Sequence, residues 1–324
     1  MYSINELSEL ISGHIKANPF SEKPGDLFAP VDYIMSLGGK RIRPVMCLAA
    51  YNLYHDDVSY AMDASMALEV FHNFSLMHDD LMDEADIRRG KPSVHKAYDD
   101  NTAILSGDAM LILSYQLFES YEEEFRELFQ LYNKTAMEVC LGQRMDIDFE
   151  TSKNVEIDDY LKMIALKTSV LIACALKMGA ILAKASSQDA FHLYEFGKNT
   201  GIAFQIQDDI LDTYGEQAKV GKKIGGDILQ RKKTYLYLKA LELLSQNEKE
   251  ELESLFDKNS GVEGDALISR VMDLFNTAHV DVHAHELKLV YQQLAMSHLD
   301  AVNIDEEKKS ILRDLAQQLL ERKY

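Results

Sequence analysis

Two acidic motifs carry the side chains of this sequence that are best suited to chemistry. Both have the pattern Asp-Asp-x-x-Asp, at residues 79–83 and 208–212, and each interrupts an otherwise apolar stretch. On an α-helix the first and last carboxylates of such a motif lie on one face, where they repel each other. Mg²⁺ offsets such charge and prefers oxygen ligands to cysteine or histidine. Because Mg²⁺ usually takes one or two carboxylates together with substrate phosphates, the two motifs predict opposite walls of a diphosphate site.

A solvated acidic helix face is the alternative interpretation of a single copy. The recurrence of the motif argues against it, because apolar residues fill the same inner positions: Leu81 and Met82 in one copy, Ile210 and Leu211 in the other. A random acidic surface is not expected to repeat that spacing.

The charge of the chain is unevenly distributed. The sequence has 53 acidic against 34 basic residues and a net charge of −19, which disfavours nucleic acid or an anionic membrane surface as a general partner. The basic residues are concentrated in short clusters at predicted helix ends or loops: residues 40–43, 88–91, 222–223 and 231–233. Such clusters can bind an anionic substrate locally, although each by itself could also be a solvated basic loop.

The sequence predicts an all-α fold in a single domain, residues 1–324. All five prolines lie at or before Pro92, and apolar residues recur at helical spacing in the rest of the chain. No linker rich in proline, glycine or serine divides the chain. We predict a first helix from about Ser3 to Lys16, a loop over 19–30, and helices at 44–54, 60–86, 102–121, 124–149, 157–184, 188–214, 232–246, 265–278, 280–302 and 305–321.

The remaining signals predict a cytoplasmic protein without stable membrane insertion. The three cysteines Cys47, Cys140 and Cys174 are odd in number and widely spaced, which favours reduced thiols over a disulfide framework or a zinc site. The N-terminus has no basic segment followed by an apolar run, and no apolar stretch reaches about 18 residues without a polar interruption.

The ordered set of motifs resembles the trans-isoprenyl diphosphate synthases, the polyprenyl synthetase family. The resemblance extends over roughly positions 38–235 and rests on Gly39-Lys40-Arg41-x-Arg43-Pro44, His72, the first acidic motif, Arg88-Arg89-Gly90-Lys91, Gly142-Gln143-x-x-Asp146, Lys167-Thr168, Phe204-Gln205 before the second acidic motif, Gly225-x-Asp227 and Lys232. It implies a single large helical bundle around a deep central cavity, usually a homodimer, in which the two acidic motifs face each other.

The resemblance also implies a role for each matched residue. Isopentenyl diphosphate, the nucleophile, is expected to bind Lys40, Arg43, His72 and Arg89. Three Mg²⁺ ions that hold the allylic diphosphate are expected to be bound by Asp79, Asp83 and Asp208. The allylic diphosphate, which is the leaving group of the reaction, is also expected to contact Arg88, Lys167, Lys223 and Lys232, with Thr168 and Gln205 beside it. The amide oxygen of Gln205 is further expected to stabilise the allylic cation, and no side chain is a compelling general base.

Product length is expected to depend on the residues four and five positions before the first acidic motif, Ser75 and Phe74. In the family, bulky side chains there limit the depth available to the growing chain. Phe74 should block it at moderate depth while Ser75 leaves space, so the expected products are C15 to C20, with geranylgeranyl diphosphate favoured. Ordinary core packing is the alternative role of Phe74.

Two other functions remain open at this point. A class I terpene cyclase shares metal-triggered ionisation but needs no second diphosphate site, and a non-catalytic partner subunit would be expected to lose acidic ligands.

A separate group of side chains resembles a metal cluster: the histidines His279, His283 and His285 with Glu286. An exposed polar helix face is the favoured interpretation of this group.

Overall fold

A computed structural model describes residues 1–20, 26–152, 154–215 and 225–320 of the chain. These residues form sixteen α-helices: α1 Ile4–Ala17, α2 Ala29–Ser36, α3 Ile42–Asn52, α4 Met62–Met82, α5 Val94–Ala97, α6 Asp100–Gln116, α7 Phe125–Thr151, α8 Ile157–Ile164, α9 Val170–Leu182, α10 Ser187–Tyr214, α11 Gly226–Leu229, α12 Tyr235–Leu243, α13 Gln246–Leu255, α14 Gly264–Thr277, α15 Val280–Asp300 and α16 Glu306–Leu320. The prediction of an all-α chain is confirmed.

Local sequence accounts for several helix starts. Ser3 caps α1 with a reciprocal pair of hydrogen bonds, in which the Glu6 amide donates to the Ser3 hydroxyl and the Ser3 amide donates to the Glu6 carboxylate. Ser245 and Glu248 form the same capping box on α13, a helix that the sequence analysis did not predict. The loop predicted over 19–30 extended too far toward its C-terminal end, because α2 begins at Ala29. Pro30 lies in the first turn of α2, where proline is tolerated.

The helix that leads into the first acidic motif ends earlier than predicted. It was expected to reach Asp86, but α4 ends at Met82 and Glu84 has a positive φ of 53°. A two-stranded antiparallel hairpin follows, β1 Ile87–Arg88 and β2 Lys91–Pro92. Its turn places two consecutive residues, Arg89 and Gly90, at positive φ, a conformation that a helix cannot contain.

The long helix predicted over 157–184 is also interrupted. Residues Ala165–Ser169 form a π-helical turn between α8 and α9. Such single turns inside α-helices are frequent at functional sites, and this one contains Lys167 and Thr168.

The described residues fall into two compact units. The first contains Met1–Lys134, Cys174–Tyr194 and Val302–Leu312; the second contains Thr135–Ala173, Glu195–Ala301 and the chain from Arg313 onward. Each unit is therefore built from three separate stretches of chain. The single domain over residues 1–324 stays a prediction.

In the first unit α4 is the central helix. It packs against α3 and α6 and is buried along most of its length. An apolar cluster surrounds its second half: Val31, Ile34, Met35, Met66, Val70, Met77, Val94, Ala103, Met110 and Leu113. The helix therefore carries the first acidic motif on a rigid support.

The second unit has its own apolar core, formed mainly by α8, α10, α12 and α14. Its fully buried members include Tyr160, Ile206, Leu236, Leu252 and Val271. The second acidic motif lies near the end of α10, and its inner residue Ile210 is part of this core.

Among the residues that the structure describes, one helical segment, Ile157–Leu182, is long and apolar enough to cross a bilayer by length and composition. It spans 26 residues with a mean hydropathy of 1.7. However, 72% of its most apolar window is buried inside the protein. These properties are those of a buried core helix.

Candidate active site

Three of the residues expected to bind isopentenyl diphosphate, Arg43, His72 and Arg89, lie together in the first unit. Arg43 Nη1 is 3.1 Å from His72 Nε2. Because a guanidinium only donates hydrogen bonds, Nε2 must accept, which leaves the proton of neutral His72 on Nδ1. Burial and the nearby Arg43 charge hold the pKa of His72 well below its usual value. His72 is therefore a neutral donor at physiological pH.

Arg43 also has a buried donor with no partner. Its Nε atom is buried and makes no hydrogen bond within the described part of the chain. An unsatisfied buried donor costs about 1–3 kcal/mol, and an oxygen of a bound anion would satisfy it. Burial, and then the charge of Arg89, lower the pKa of Arg43 to about 10 against the opposing effect of Glu69. Arg43 stays cationic at neutral pH and is suited to bind an anion.

Arg89 reaches this cluster from the hairpin turn between β1 and β2. Its Nη1 donates to the carbonyl oxygen of Gly38. Gly39, at φ 121°, lies directly under the guanidinium, where an added Cβ would be 2.8 Å from Arg89 Cζ. The lack of a side chain at Gly39 thus leaves room for the Arg89 guanidinium in this position, and the exposed Lys40 follows Gly39 immediately.

The first acidic motif separates into two kinds of aspartate. Asp80 is buried and accepts hydrogen bonds from Arg88 Nε at 2.9 and 3.0 Å to its two oxygens. Burial lowers the pKa of Arg88, but the hydrogen bond and charge of Asp80 outweigh it and the net direction is upward. Asp79 is half-buried and Asp83 is exposed. The middle aspartate thus has a structural partner, and Asp79 and Asp83 remain the predicted metal ligands.

The second motif repeats this division. Asp209 is buried and accepts hydrogen bonds from the Tyr160 hydroxyl and from Gln205 Nε2, the latter at 3.3 Å. Thr168 Oγ1 donates to Gln205 Oε1 at 3.4 Å. This chain of hydrogen bonds fixes which way the Gln205 amide faces. Burial and the charge of Asp227 raise the pKa of Asp209 well above its usual range.

Asp212, the third aspartate of the second motif, holds the short helix α11. Its Oδ2 accepts from the Asp227 amide at 2.8 Å, and its carbonyl accepts from the Gly225 amide at 2.7 Å. Burial and then Asp212 raise the pKa of Asp227 to about 6. The carbonyl of Asp227 accepts a hydrogen bond from the Lys232 amide at 2.9 Å. Lys232, which is expected to contact the allylic diphosphate, is thereby connected to the second motif.

Two glycines make room for the π-helical turn. A Cβ on Gly142 of α7 would lie 2.2 Å from the Lys167 amide nitrogen, and one on Gly201 of α10 would lie 2.7 Å from Ser169 Cα. Lys167 Nζ is 2.6 Å from Asp146 Oδ2, one turn beyond Gly142. Close helix packing therefore positions Lys167.

The donor set suits magnesium held together with a substrate. In the described ranges, no group of three histidine, cysteine or acidic side chains could hold a metal ion. The predicted ligands Asp79, Asp83 and Asp208 offer hard carboxylate oxygens, and Mg²⁺ completes its shell with water and phosphate oxygen. His283 pairs with Glu286 at 3.4 Å, as expected for a polar helix face.

The two expected length-determining residues have different surroundings. The half-buried Phe74 ring lies 4.9 Å from the His78 ring and 5.4 Å from the Phe71 ring, measured between centroids. His78 lies against Gly107 of α6, where a Cβ would be 2.2 Å from its Nε2. Ser75 instead donates its hydroxyl to the His72 carbonyl at 2.8 Å. Phe74 is thus held by rings on both sides.

Some predicted residues lie outside this description, and some residues were missed. Lys223 and the terminal residues 322–324 are outside the described ranges. Glu69, Asn73 and Tyr160 were not predicted from the sequence. Glu69 and Asn73 could have been noticed as polar residues four apart in an apolar helix, whereas the partner of Tyr160 is far away in sequence.

Comparisons with known proteins identify related enzymes. The chain matches the family described as polyprenyl synthetase over residues 25–274. A geranylgeranyl pyrophosphate synthase of Geoglobus acetivorans is 33% identical over 99% of this chain and 98% of the relative. A crystal structure of a geranylgeranyl pyrophosphate synthase is 41% identical with a TM-score of 0.93, and the match covers 100% of both chains. The enzyme of that name from Corynebacterium glutamicum, complexed with isoprenyl diphosphate and magnesium, is 26% identical with a TM-score of 0.84, over 99% of this chain and 98% of that chain.

Helices that align along the whole chain with these enzymes define an isoprenoid synthase fold, so the predicted fold class is confirmed. The chain belongs to the polyprenyl synthetase family. The prediction of a short-chain trans-prenyltransferase, with geranylgeranyl diphosphate favoured, is confirmed as well. Enzymes of this family act on isopentenyl and allylic diphosphates and use Mg²⁺ for diphosphate ionisation.

Proposed function

We propose that this protein condenses isopentenyl diphosphate head-to-tail with allylic diphosphates and releases geranylgeranyl diphosphate as its main product. The observation that carries the proposal is the buried, unpartnered Nε of Arg43 beside neutral His72 and cationic Arg89. This cluster can bind a second diphosphate directly. A terpene cyclase needs no such second site.

The acidic residues bind the leaving group of the allylic substrate through metal. Asp79, Asp83 and Asp208 are the proposed ligands of three Mg²⁺ ions. When bound, these ions act as Lewis acids that stabilise charge on the departing diphosphate oxygens more in the transition state than before. The cations Arg88, Lys167, Lys223 and Lys232 are proposed to contact the same diphosphate, with the ion pairs of Arg88 and Lys167 fixing two of them in place.

The nucleophile is held by direct contacts. Lys40, Arg43 and Arg89 bind the diphosphate of isopentenyl diphosphate by charge and hydrogen bonds, and His72 donates from Nδ1. Holding the double bond close to the allylic carbon makes the attack effectively unimolecular, and exclusion of water prevents loss of the cation to an alcohol.

Gln205 is proposed to stabilise the allylic cation. Its amide nitrogen is engaged by Asp209, so the partially negative amide oxygen, which accepts from Thr168, is held in a fixed orientation. After carbon–carbon bond formation, a proton is lost to the released diphosphate, which restores an allylic product without a side-chain base.

The state of the protein in the cell is part of the proposal. We expect a cytoplasmic homodimer, supported by free cysteines and by two exposed apolar side chains two turns apart on α6, Leu105 and Ile112.

The test is to incubate purified protein with Mg²⁺, isopentenyl diphosphate and separate C5, C10 or C15 allylic diphosphates, and to size the products. A C20 diphosphate formed only when both substrates are present supports the proposal. A hydrocarbon formed from the allylic substrate alone would instead identify a cyclase, and no turnover with any primer would identify a non-catalytic subunit.

A further inference from the structure

Glu69 is a buried carboxylate one helical turn before His72. It is 1% exposed, and it forms an ion pair with Arg41, whose side chain is 6% exposed. Asn73 Nδ2, also fully buried, donates to the same Glu69 Oε1 at 2.8 Å. A charged network this deep in an apolar helix needs a reason, because burying a carboxylate is costly unless its charge is fully matched.

Arg41 connects this network to the loop that carries the substrate cations. It is the residue before α3, at a positive φ of 48°, and its guanidinium also donates to the Met35 carbonyl in α2. The ion pair therefore fixes the segment between α2 and α3 to α4. Lys40 precedes Arg41 directly, and Arg43 follows two residues later.

Glu69 also acts electrostatically on Arg43 and Arg89, two arginines that are proposed to bind isopentenyl diphosphate. Burial lowers the pKa of Arg43, and the charge of Glu69 is the largest effect that opposes it. The pKa of Arg89 shows the same order, with burial lowering it and Glu69 giving the largest opposing effect. Arg41, Arg43 and Arg89 would otherwise repel one another, so Glu69 is their shared counter-charge.

We propose that Glu69 is a positioning residue whose carboxylate keeps this cluster of arginines assembled while no isopentenyl diphosphate is bound. The inference rests on the proposed function, because it takes the cluster to be the metal-independent diphosphate site. Loss of the Glu69 charge leaves the arginines uncompensated until a diphosphate arrives. A diphosphate then stabilises the variant more than the wild type, since it supplies the missing negative charge.

The experiment is thermal unfolding of wild type and Glu69→Gln, with EDTA present, with and without inorganic diphosphate. EDTA removes the metal-dependent site and leaves direct binding. We expect the Tm of Glu69→Gln to be lower by about 5 °C or more in buffer, and saturating diphosphate to recover at least about half of the loss. If the variant is unfolded in buffer, diphosphate is expected to restore a cooperative transition.

Three comparisons make the result specific. Glu124→Gln removes another buried acid of the first unit, bonded to the Tyr60 hydroxyl at 2.9 Å, and should lose stability that diphosphate does not recover. Glu69→Asp keeps the charge and should respond to diphosphate as wild type does. In steady-state assays with Mg²⁺, Glu69→Gln should lower KM for isopentenyl diphosphate about fivefold, because a diphosphate that stabilises the variant more also binds it more tightly, and should leave KM for the allylic substrate within about twofold.

The failures are separable. A diphosphate response in wild type with no larger response in Glu69→Gln, or an equal change of both KM values, overturns the role of Glu69 alone. If neither protein responds to diphosphate in EDTA, the metal-independent diphosphate site is wrong and the role of Glu69 falls with it.

Discussion

At the scale of single residues, the three aspartates of each acidic motif do different work. The buried middle aspartates, Asp80 and Asp209, are bonded to Arg88 and to Tyr160 with Gln205. These bonds fix Arg88 and Gln205, the two partners that are proposed to face the allylic diphosphate. In the first motif, the spacing Asp-Asp-x-x-Asp thus combines two proposed metal ligands, Asp79 and Asp83, on one helix face with a buried anchor on another.

Substitution of the outer aspartates tests this division. Asp79→Ala or Asp208→Ala should reduce kcat about 10³-fold or more with little change in Tm, because each removes charge stabilisation rather than packing. Asp80→Asn should instead lower stability by roughly 2–4 kcal/mol, because it leaves the partly buried Arg88 without its carboxylate. Steady-state kinetics and thermal unfolding measure both. Retained turnover in the Asp79 and Asp208 variants would remove the metal assignment.

The hydroxyl of Tyr160 is expected to increase kcat indirectly, by holding Asp209 and thereby the Gln205 amide. Tyr160→Phe removes one of the two hydrogen bonds that hold Asp209, so the Gln205 amide loses its fixed orientation. We expect kcat to fall about tenfold with unchanged KM values, since the interaction acts on the transition state. Tyr132→Phe, which removes a buried hydroxyl bonded to the Ala67 carbonyl in the first unit, is the matched control and should leave kcat unchanged. Equal effects of the two substitutions would contradict the role.

At the scale of elements, α4 carries both chemistry and the proposed limit on product length. His72, Phe74 and Asp79 lie on this one helix, and α6 supports it through the contact of Gly107 with His78. Because His78 Nε2 lies 3.2 Å from the carbonyl oxygen of Ile104, the His78 ring is fixed and holds the Phe74 ring against it. The proposed limit on product length therefore depends on the packing of α4 against α6.

Phe74→Ala is expected to lengthen the product beyond C20, because it removes the ring that limits the depth available to the prenyl chain. Product sizing by chromatography after full conversion is the measurement. Leu76→Ala, on the same helix and packed on the same apolar cluster, controls for a general loosening of α4 and should leave the C20 product dominant. An unchanged distribution in Phe74→Ala would show that another residue sets the length.

At the scale of the whole molecule, the mass in solution tests the proposed homodimer. Light scattering should give twice the 36.8 kDa of one chain. A double substitution of Leu105 and Ile112 to Glu places charge on the exposed apolar side of α6 and should shift the mass to that of a monomer. Val290→Glu on α15, whose side chain is also half exposed, is the control that should stay dimeric. A wild-type monomer would rule out the dimer.

The sequence alone determined the fold class and the order of most helices, and it predicted the magnesium chemistry that is proposed for the two acidic motifs. These features depend on local spacing, as in the i and i+4 carboxylates, and on the absence of prolines after Pro92. It did not predict the helix α13, although Ser245 and Glu248 are a local capping signal. It also extended α4 too far, because the positive φ of Glu84 has no clear mark in the sequence.

Only the tertiary structure decided which aspartates are anchors, that Glu69 is the counter-charge of Arg41, and that a π-helical turn carries Lys167. The partners in these contacts lie far apart along the chain, as Tyr160 does from Asp209 and Gly142 from Lys167. Helical periodicity reports which face of one helix is apolar, but it contains no information about the side chain that a second helix brings to a buried charge.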